Sequence, residues 1–249
     1  MILPYPKDAL HKAMLYRLLI GLLDAKDVAR EIFFKGGTCA AMLEWLDRFS
    51  IDLDFDLSRN ADRPKLKRLL KRIFNANGFR VAEEAKNELY FILKYQAPPG
   101  TRNNLKLSII DLPVRANVYQ PQYLSDIARF AVCQTVETMF ANKLIAVTDR
   151  FKKYHTIAGR DIYDIHYFFT QGYGYNQEVI TERTGVSPAV YLRELSEFIR
   201  QKITERIISE DLSYLLPPTK FQVARRTLKS EVLIFLQSAK SHAPLIQQA

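Results

Sequence analysis

The spacing of apolar residues divides the chain into a first half of mixed helices and strands and a second half of helices. Leucines at helical spacing predict an amphipathic helix near the start, and short apolar runs bounded by turn residues predict strands. In chain order, the first half predicts a helix over 7–30, a strand over 31–34, a helix ending near 46, a strand over 50–57, a helix over 62–78 and strands over 79–85, 88–95 and 105–111.

The second half shows helical spacing alone. It predicts helices over 135–151, 161–170, 187–207 and 218–237. This change of pattern predicts two lobes, an α/β lobe over 1–120 and an all-helical lobe over 121–249, with the boundary between 112 and 134. We therefore expect an α+β fold in which a mixed-sheet lobe precedes a helical lobe.

The strand over 50–57 alternates polar and apolar residues without exception, and Ser50, Asp52, Asp54 and Asp56 fall on one face. Alternate residues of a strand lie only about 7 Å apart, so ionised neighbours repel unless a cation lies between them. A divalent metal with oxygen ligands would remove that repulsion. The alternative is a half-exposed edge strand whose carboxylates are solvated.

A glycine turn just before this strand favours the metal. Gly36, Gly37 and Thr38 join a short strand to a helix, where free backbone N–H groups can hold a phosphate. Two glycines also permit a close backbone approach that side chains would block. The turn and the aspartate strand together indicate chemistry on a metal-bound nucleotide.

Charged residues interrupt the apolar faces of two predicted helices. Lys143 and Arg150 lie within the apolar stripe of the helix over 135–151, while Asp161 and Asp164 lie one turn apart on the next helix. Charges on a packing face need partners. The pattern predicts either a structural clamp between the helices or a lysine that binds a triphosphate, and the two roles are compatible.

The chain is basic, with a formal charge of +9, which predicts attraction to polyanions. Basic side chains cluster on one arc of the helix over 62–78 and in the segment 150–155, which we expect to be a loop. The expected RNA contacts are Lys65, Arg68, Lys71, Arg72, Lys152 and Lys153. The alternative is a solvated surface with no nucleic-acid partner.

Several classes of protein are disfavoured by composition. The apolar runs are much shorter than the roughly 20 residues of a membrane span, and the start lacks the order of a secretion signal. Two isolated cysteines, Cys39 and Cys133, predict no disulfide framework and fit a reducing compartment. We expect a cytoplasmic protein with no membrane partner.

Four motifs together resemble the AbiEii/AbiGii toxin family of nucleotidyltransferases. They are GGT, RFSIDLDF, ETMFANKLIAVTDR and RDIYDI, and they span 35–57 and 137–166. The family supplies the toxins of bacterial abortive-infection and toxin–antitoxin systems. The resemblance implies a polymerase-β-like nucleotidyltransferase core followed by a helical lobe, with an antitoxin encoded nearby as a partner.

The resemblance also implies roles for single residues. Gly36, Gly37 and Ser50 would line the phosphates of an NTP, and Asp52 and Asp54 would hold Mg²⁺ or Mn²⁺. The activity implied is the transfer of NMP to an RNA acceptor, such as the 3′ end of tRNA, or to a protein.

The helical lobe is expected to contribute to the same cleft. By the resemblance, Lys143 matches the lysine of a KL motif and Asp164 a later catalytic acid. Arg160, at the start of its helix, is a further candidate for phosphate binding.

One departure from the wider superfamily affects the number of metals. A third carboxylate is usual on a later strand, but the inward positions of the strand over 105–111 include Lys106 and Ser108, and Asp111 has the opposite parity. Either Asp56 substitutes for the third carboxylate or a single metal suffices.

Two other functions stay open: a kinase-like phosphotransferase, and a degenerate protein that only binds RNA or an antitoxin.

Overall fold

The computed structural model describes residues 1–111 and 114–241, which form two compact units. The first unit comprises 1–111 and Val118–Thr135, and the second comprises Val114–Asn117 and 136–241. Residues 112–113 of the expected boundary and 242–249 of the expected helical lobe lie outside the described residues. The lobe limits of 1–120 and 121–249 stay a prediction, although residues 121–135 group with the first unit.

The first unit is built on a mixed sheet with seven strands in the described residues. The strands are β1 (Ile32–Lys35), β2 (Asp52–Leu57), β3 (Arg80–Glu84), β4 (Leu89–Lys94), β5 (Asn104–Asp111), β6 (Tyr119–Leu124) and β7 (Arg129–Gln134). Their order in space is β3-β4-β5-β2-β1-β7-β6. Strand β2 therefore lies in the middle, parallel to β5 on one side and antiparallel to β1 on the other.

In its described residues this unit has four α-helices: α1 (Ala9–Asp24), α2 (Lys26–Ala29), α3 (Gly36–Met42) and α4 (Arg63–Ala76). Asp62 caps α4 by accepting a hydrogen bond from the backbone N–H of Lys65 at 2.9 Å. The apolar side of the sheet is buried with α1 and α4, as the 5.1 Å between the ring centroids of Phe74 and Phe91 shows. Helices and a mixed sheet together confirm the α+β fold class.

The buried His11 connects α1 to the beginning of β2. Its Nε2 lies 2.9 Å from the carbonyl oxygen of Ile51, and its Nδ1 lies 2.6 Å from the hydroxyl of Tyr95. Because a carbonyl only accepts, Nε2 carries the proton of the neutral ring. This contact fixes the point at which the aspartate strand enters the sheet.

Three differences from the predicted elements have local causes. The helix predicted over 7–30 breaks at Ala25, whose ψ of 89° is not helical. The helix predicted over 187–207 ends at Lys202, and Thr204 begins a new helix by accepting a hydrogen bond from Ile207 N–H. Strand β6 was not predicted, because it carries Pro121 at the sheet edge and lacks an apolar run, and the inner strand β7 was not predicted either.

The second unit is helical: α5 (Val136–Tyr154), α6 (Gly159–Thr170), α7 (Gln177–Thr184), α8 (Pro188–Lys202), α9 (Glu205–Leu212) and α10 (Pro218–Ser241). Its core includes Phe140 and Phe168, whose ring centroids lie 5.1 Å apart. Helix α7 was not predicted, because it is short and mostly polar. Within the described residues, every helix is too short or too polar to cross a membrane.

Protonation of His11 is expected to destabilise the first unit at mildly acidic pH. Burial lowers the pKa of His11 to about 4 from an ordinary value of 6.5. Between those pH values the unfolded chain binds a proton that the folded chain does not. The contribution of neutral His11 to the free energy of unfolding is therefore fully present above pH 6.5 and is lost as the pH falls toward 4. At about 1.4 kcal/mol per pKa unit, the loss should reach about 3 kcal/mol.

Urea unfolding followed by the fluorescence of Trp45, the chain's single tryptophan and part of the first unit, measures this loss. The control variant His11→Gln keeps a polar side chain that does not titrate, so its stability should change less between pH 6.5 and pH 4. The same pH dependence in both proteins would contradict the assignment.

Candidate active site

The three aspartates of β2 project from one face of the sheet, here called the acid face, but their surroundings differ. Asp56 is 1% exposed, and both of its oxygens are used. Its Oδ1 accepts from Lys35 Nζ at 2.6 Å, and its Oδ2 accepts from the Tyr119 hydroxyl and the Gln134 amide, each at 2.7 Å. Asp56 is thus a structural anion that joins β2 to β1, β6 and β7. A role for Asp56 as the third metal ligand stays a prediction, although its burial and these three contacts argue against it.

Asp52 is half-buried and pairs with a lysine. The β2–β5 register places Lys106 directly opposite Asp52, and Lys106 Nζ lies 2.9 Å from Asp52 Oδ2. The side chain therefore has one oxygen engaged by a fixed cation. A carboxylate in this arrangement keeps its other oxygen, Oδ1, for a further ligand.

Asp54 lies between these two aspartates and differs from both. Its neighbours in the sheet are Lys35 on β1 and Ser108 on β5. Because Lys35 is directed to Asp56, the half-buried Asp54 has no hydrogen bond or ion pair with any residue in the described part of the chain. A half-buried carboxylate without a partner is costly, so Asp54 is the group on this face that most needs a cation.

The glycine turn packs tightly against these side chains. Gly36 has a φ of 78°, and a Cβ there would lie 2.9 Å from Asp54 Oδ2. At Gly37 a Cβ would lie 2.7 Å from Arg48 Nη2 and 3.0 Å from Ser50 Oγ. Both positions favour glycine, because the side chains of Asp54, Arg48 and Ser50 lie directly on the backbone.

The hydroxyl of Thr38 serves this packing as well. Thr38 is 1% exposed, and its Oγ1 lies within hydrogen-bond distance of Ser50 Oγ, at 2.9 Å, and of the carbonyl oxygen of Asp52. These contacts hold α3 against the beginning of β2. The fold therefore brings together four of the expected nucleotide-binding residues beside the acid face: Gly36, Gly37, Thr38 and Ser50.

Arg48 is a residue that the sequence analysis missed. It is 2% exposed, its Nη1 donates to the carbonyl oxygen of Phe49 at 2.9 Å, and its guanidinium lies on Gly37 beside Ser50. The available signal was a lone arginine before the alternating strand. Sequence alone did not show that this arginine turns inward to the glycine turn.

The register between β2 and β5 excludes Asp111 as a ligand on the acid face. Pairing runs unbroken from Asp52 opposite Lys106 to Leu57 opposite Asp111. Asp111 therefore shares the face of the buried Leu57, and it forms an ion pair with Arg63 instead. No bulge interrupts the described pairing between these two strands.

The acid face fits a magnesium ion in its donor chemistry. Magnesium typically takes one or two carboxylates and fills its other positions with waters and substrate phosphates. Asp54 offers two oxygens and Asp52 offers one. Among residues 1–111 and 114–241, no three His, Cys, Asp or Glu side chains are placed to hold a metal together. The protein would therefore supply two carboxylates and leave the remaining positions to water and substrate.

The expected residues Lys143, Asp164 and Arg160 belong to the second unit. Lys143 Nζ lies 2.8 Å from Asp164 Oδ2 and 3.1 Å from Asp161 Oδ1, and Arg150 Nη2 lies 3.3 Å from Asp161 Oδ2. These are the ion pairs of the predicted clamp between α5 and α6. Backbone N–H of Arg160, at the start of α6, donates to Asp211.

Charge balance decides the ionisation of Asp161 in this cluster. Burial by itself would raise the pKa of the Asp161 carboxyl, but Lys143, Arg150 and Arg160 hold that pKa below its ordinary value. Asp161 therefore stays ionised despite being 1% exposed. The clamp therefore consists of two buried carboxylates, Asp161 and Asp164, paired with two half-buried cations, Lys143 and Arg150.

The expected RNA contacts divide into paired and unpaired side chains. On α4, Lys71 is tied to Glu84 at 2.7 Å, whereas Lys65, Arg68 and Arg72 are exposed and form no ion pair within the described residues. Lys152 and Lys153 are exposed on the last turn of α5. The segment 150–155 is helical as far as Tyr154, so the expected basic loop is wrong; the side chains form part of a helix face.

Comparison with known proteins gives one family. The sequence model described as "Nucleotidyl transferase AbiEii toxin, Type IV TA system" matches residues 17–227. No curated protein sequence matches the chain.

Solved structures share the fold over nearly the whole chain. A Helicobacter pylori protein classed as a candidate nucleotidyltransferase is 19% identical with a TM-score of 0.62, covering 98% of this chain and 100% of its own. JHP933 from Helicobacter pylori is 18% identical with a TM-score of 0.57, covering 96% of both chains. MenT4, a nucleotidyltransferase toxin from Mycobacterium tuberculosis H37Rv, is 15% identical with a TM-score of 0.54, covering 95% of this chain and 87% of its own.

The contact between Gly36 and Asp54 makes a testable prediction about stability. Gly36 and Gly78 both have positive φ, so alanine at either position should cost roughly 1–2 kcal/mol of backbone strain. Only at Gly36 does the added Cβ also meet a side chain, because nothing lies within 4 Å of it at Gly78. Gly36→Ala should therefore destabilise the protein more than Gly78→Ala. Urea unfolding monitored by Trp45 measures both, and equal losses would show that Asp54 does not pack on the turn.

The ion cluster of α5 and α6 makes a second prediction. Lys143→Met leaves two buried carboxylates with too little positive charge, and breaking such a buried network should cost about 3–5 kcal/mol. The control is Arg206→Met, which removes an exposed partner of Glu210 in the same unit and should change nothing measurable. Far-ultraviolet circular dichroism during urea unfolding compares the two. If Lys143→Met unfolds at the wild-type urea concentration, the cluster does not stabilise the fold.

Proposed function

Because the chain belongs to the AbiEii family of nucleotidyltransferase toxins, we propose that it transfers NMP from an NTP to an acceptor hydroxyl at the acid face. The transfer would use a divalent cation, Mg²⁺ or Mn²⁺, held by Asp52 and Asp54. The observation that carries the proposal is Asp54, a half-buried carboxylate with no protein partner in the described chain, beside a glycine turn.

The reaction asks the protein for positioning and charge rather than for a covalent intermediate. The acceptor oxygen forms a bond to the α-phosphorus of the NTP, the bond to the β-phosphate oxygen breaks, pyrophosphate leaves, and the hydroxyl proton passes to water. A divalent cation, when bound, stabilises the negative charge that develops on the phosphoryl oxygens. Asp52 and Asp54 would hold that ion, and Gly36, Gly37 and Ser50 would line the phosphates of the NTP.

Arg48 adds a positive charge to the proposed phosphate-binding region. Its guanidinium lies beside Gly37 and Ser50, in a buried position where a cation acts more strongly than at the surface. The role expected of Lys143 in binding the triphosphate, and that expected of Asp164, stay predictions; the contacts of the second unit support their structural role.

The acceptor we propose is RNA, with tRNA as the first to test. Lys65, Arg68 and Arg72 form an exposed basic row on α4, and they have no ion-pair partner within the described residues. Such a row suits phosphate contacts along a nucleic-acid backbone. Labelling of protein rather than RNA would identify the other acceptor class. A partner antitoxin that suppresses the activity is a further proposal, supported by the family's description as a toxin of type IV systems.

One observation favours a second candidate function. Lys106 already neutralises part of Asp52, as expected if the acid face had lost its metal and retained only a binding role for RNA or an antitoxin. Asp54 argues against that role, because a site without metal would gain nothing from an unpaired half-buried carboxylate.

Radiolabelled NTPs test the proposal directly. The full chain is incubated with total RNA, Mg²⁺ and each NTP in turn, labelled at the α- or the γ-phosphate. We expect α-label on the RNA with the wild type and at least a roughly hundredfold loss with Asp54→Asn, since the ion would lose a charged ligand. The exposed residue Asp27 on α2 provides the control, and Asp27→Asn should keep full activity.

The other outcomes identify the alternatives. γ-Label on the acceptor would show a phosphotransferase. No label on any acceptor with any NTP, from a protein that is folded by circular dichroism, would support the binding role and refute nucleotidyl transfer.

A further inference from the structure

We propose that Lys106 is a built-in cation of the acid face, so that the site takes one divalent cation and not two. This inference rests on the nucleotidyl-transfer function proposed above. It assigns Lys106 the part that a second metal ion plays in enzymes with two-metal sites. Lys106 is on this account a positioning residue, because it acts through Asp52.

The sheet register places Lys106 where it can do this. Strands β2 and β5 are parallel, and directly paired residues of neighbouring strands lie on the same face, about 5 Å apart. Lys106 is opposite Asp52, and Ser108 is opposite Asp54. A third carboxylate that shared ions with Asp52 and Asp54 would have to project from one of these β5 positions. The chain places a lysine and a serine there.

The space beside Asp52 is also occupied. A magnesium ion must approach a carboxylate oxygen to about 2.1 Å, and the ions of a two-metal site lie about 4 Å apart. Lys106 Nζ already lies 2.9 Å from Asp52 Oδ2. A second ion on that oxygen would stand next to a positive charge, whereas an ion shared by Asp54 and Asp52 Oδ1 would not compete for the same oxygen.

Charge balance supports the same arrangement. Three carboxylates with two divalent cations carry a net charge of plus one. Two carboxylates, one lysine and one divalent cation carry the same net charge. The triphosphate would therefore meet an equally positive site, although one metal ion and one carboxylate have been replaced by Lys106. The ion pair also fixes the direction of the Asp52 carboxylate before any ion binds.

Counting bound Mn²⁺ tests the inference without measuring activity. Mn²⁺ is titrated into the full chain, and the free ion is quantified by electron paramagnetic resonance. We expect one Mn²⁺ per chain for the wild type. Lys106→Asp would restore the third carboxylate and should bind two. The control Lys94→Asp makes the same charge change at an exposed position of the neighbouring strand β4 and should bind one.

Two ions on the wild-type chain, or a single ion on folded Lys106→Asp, would overturn the inference while leaving nucleotidyl transfer intact. No Mn²⁺ on the wild type would overturn both the inference and the metal-dependent part of the proposed function. The labelling experiment separates these cases, because it reports transfer whatever the number of ions.

A milder substitution keeps the test valid if Lys106→Asp does not fold. Lys106→Met removes the positive charge but keeps the length of the side chain. It should still bind one Mn²⁺, with an affinity about tenfold higher, because a neighbouring cation no longer opposes the ion. Lys106→Arg should match the wild type, and Lys94→Met should leave the affinity unchanged. An unchanged affinity in Lys106→Met would refute the role of Lys106.

Discussion

The first unit is organised around the mutual repulsion of three carboxylates on one strand. Asp52, Asp54 and Asp56 share a face of β2 at the centre of the sheet, where alternate side chains lie only about 7 Å apart. The protein relieves the repulsion in a different way at each position. Asp56 pairs with Lys35 and accepts hydrogen bonds from the neutral donors Tyr119 and Gln134. Asp52 pairs with Lys106. Asp54 is left without a protein partner in the described residues, and we propose that a metal ion neutralises it.

Asp56 and Asp54 therefore differ in what they contribute to the fold. The partners of Asp56 come from β1, β6 and β7, so its removal would loosen half of the sheet. Asp54 contributes no such contact within the described residues, and its position beside Gly36 is therefore hard to explain by stability. A feature that weakens the fold and is surrounded by tight packing is typical of a site maintained for binding or catalysis.

The sequence predicted local features and missed those that depend on pairing between distant segments. Period-two alternation was enough to predict β2 and the shared face of its aspartates, because alternation is a local property. The opposition of Lys106 and Asp52 depends on the β2–β5 register, which no local pattern determines. Tyr119 and Gln134 could not be assigned to Asp56, because they lie more than 60 residues further along the chain, on strands β6 and β7 that the sequence pattern did not predict. The inward turn of Arg48 is likewise a matter of tertiary packing.

In the second unit, charged residues on apolar helix faces were enough to predict which side chains form ion pairs. A lysine on an apolar face demands nearby acids, and Asp161 and Asp164 were identified as partners of Lys143 on that physical ground. The same contacts show how a family motif and a stabilising ion network can coincide in one set of residues. Their structural role is sufficient to explain their burial, so burial alone does not assign them a catalytic role.

The central claim, that a single metal ion completes the charge balance at Asp54, is tested most directly by anomalous diffraction from crystals grown with Mn²⁺ and a non-hydrolysable NTP. The account predicts one manganese peak, coordinated by the Asp54 carboxylate, with Lys106 still paired to Asp52. Two peaks on the acid face, or one peak that leaves Asp54 uncoordinated, would contradict it.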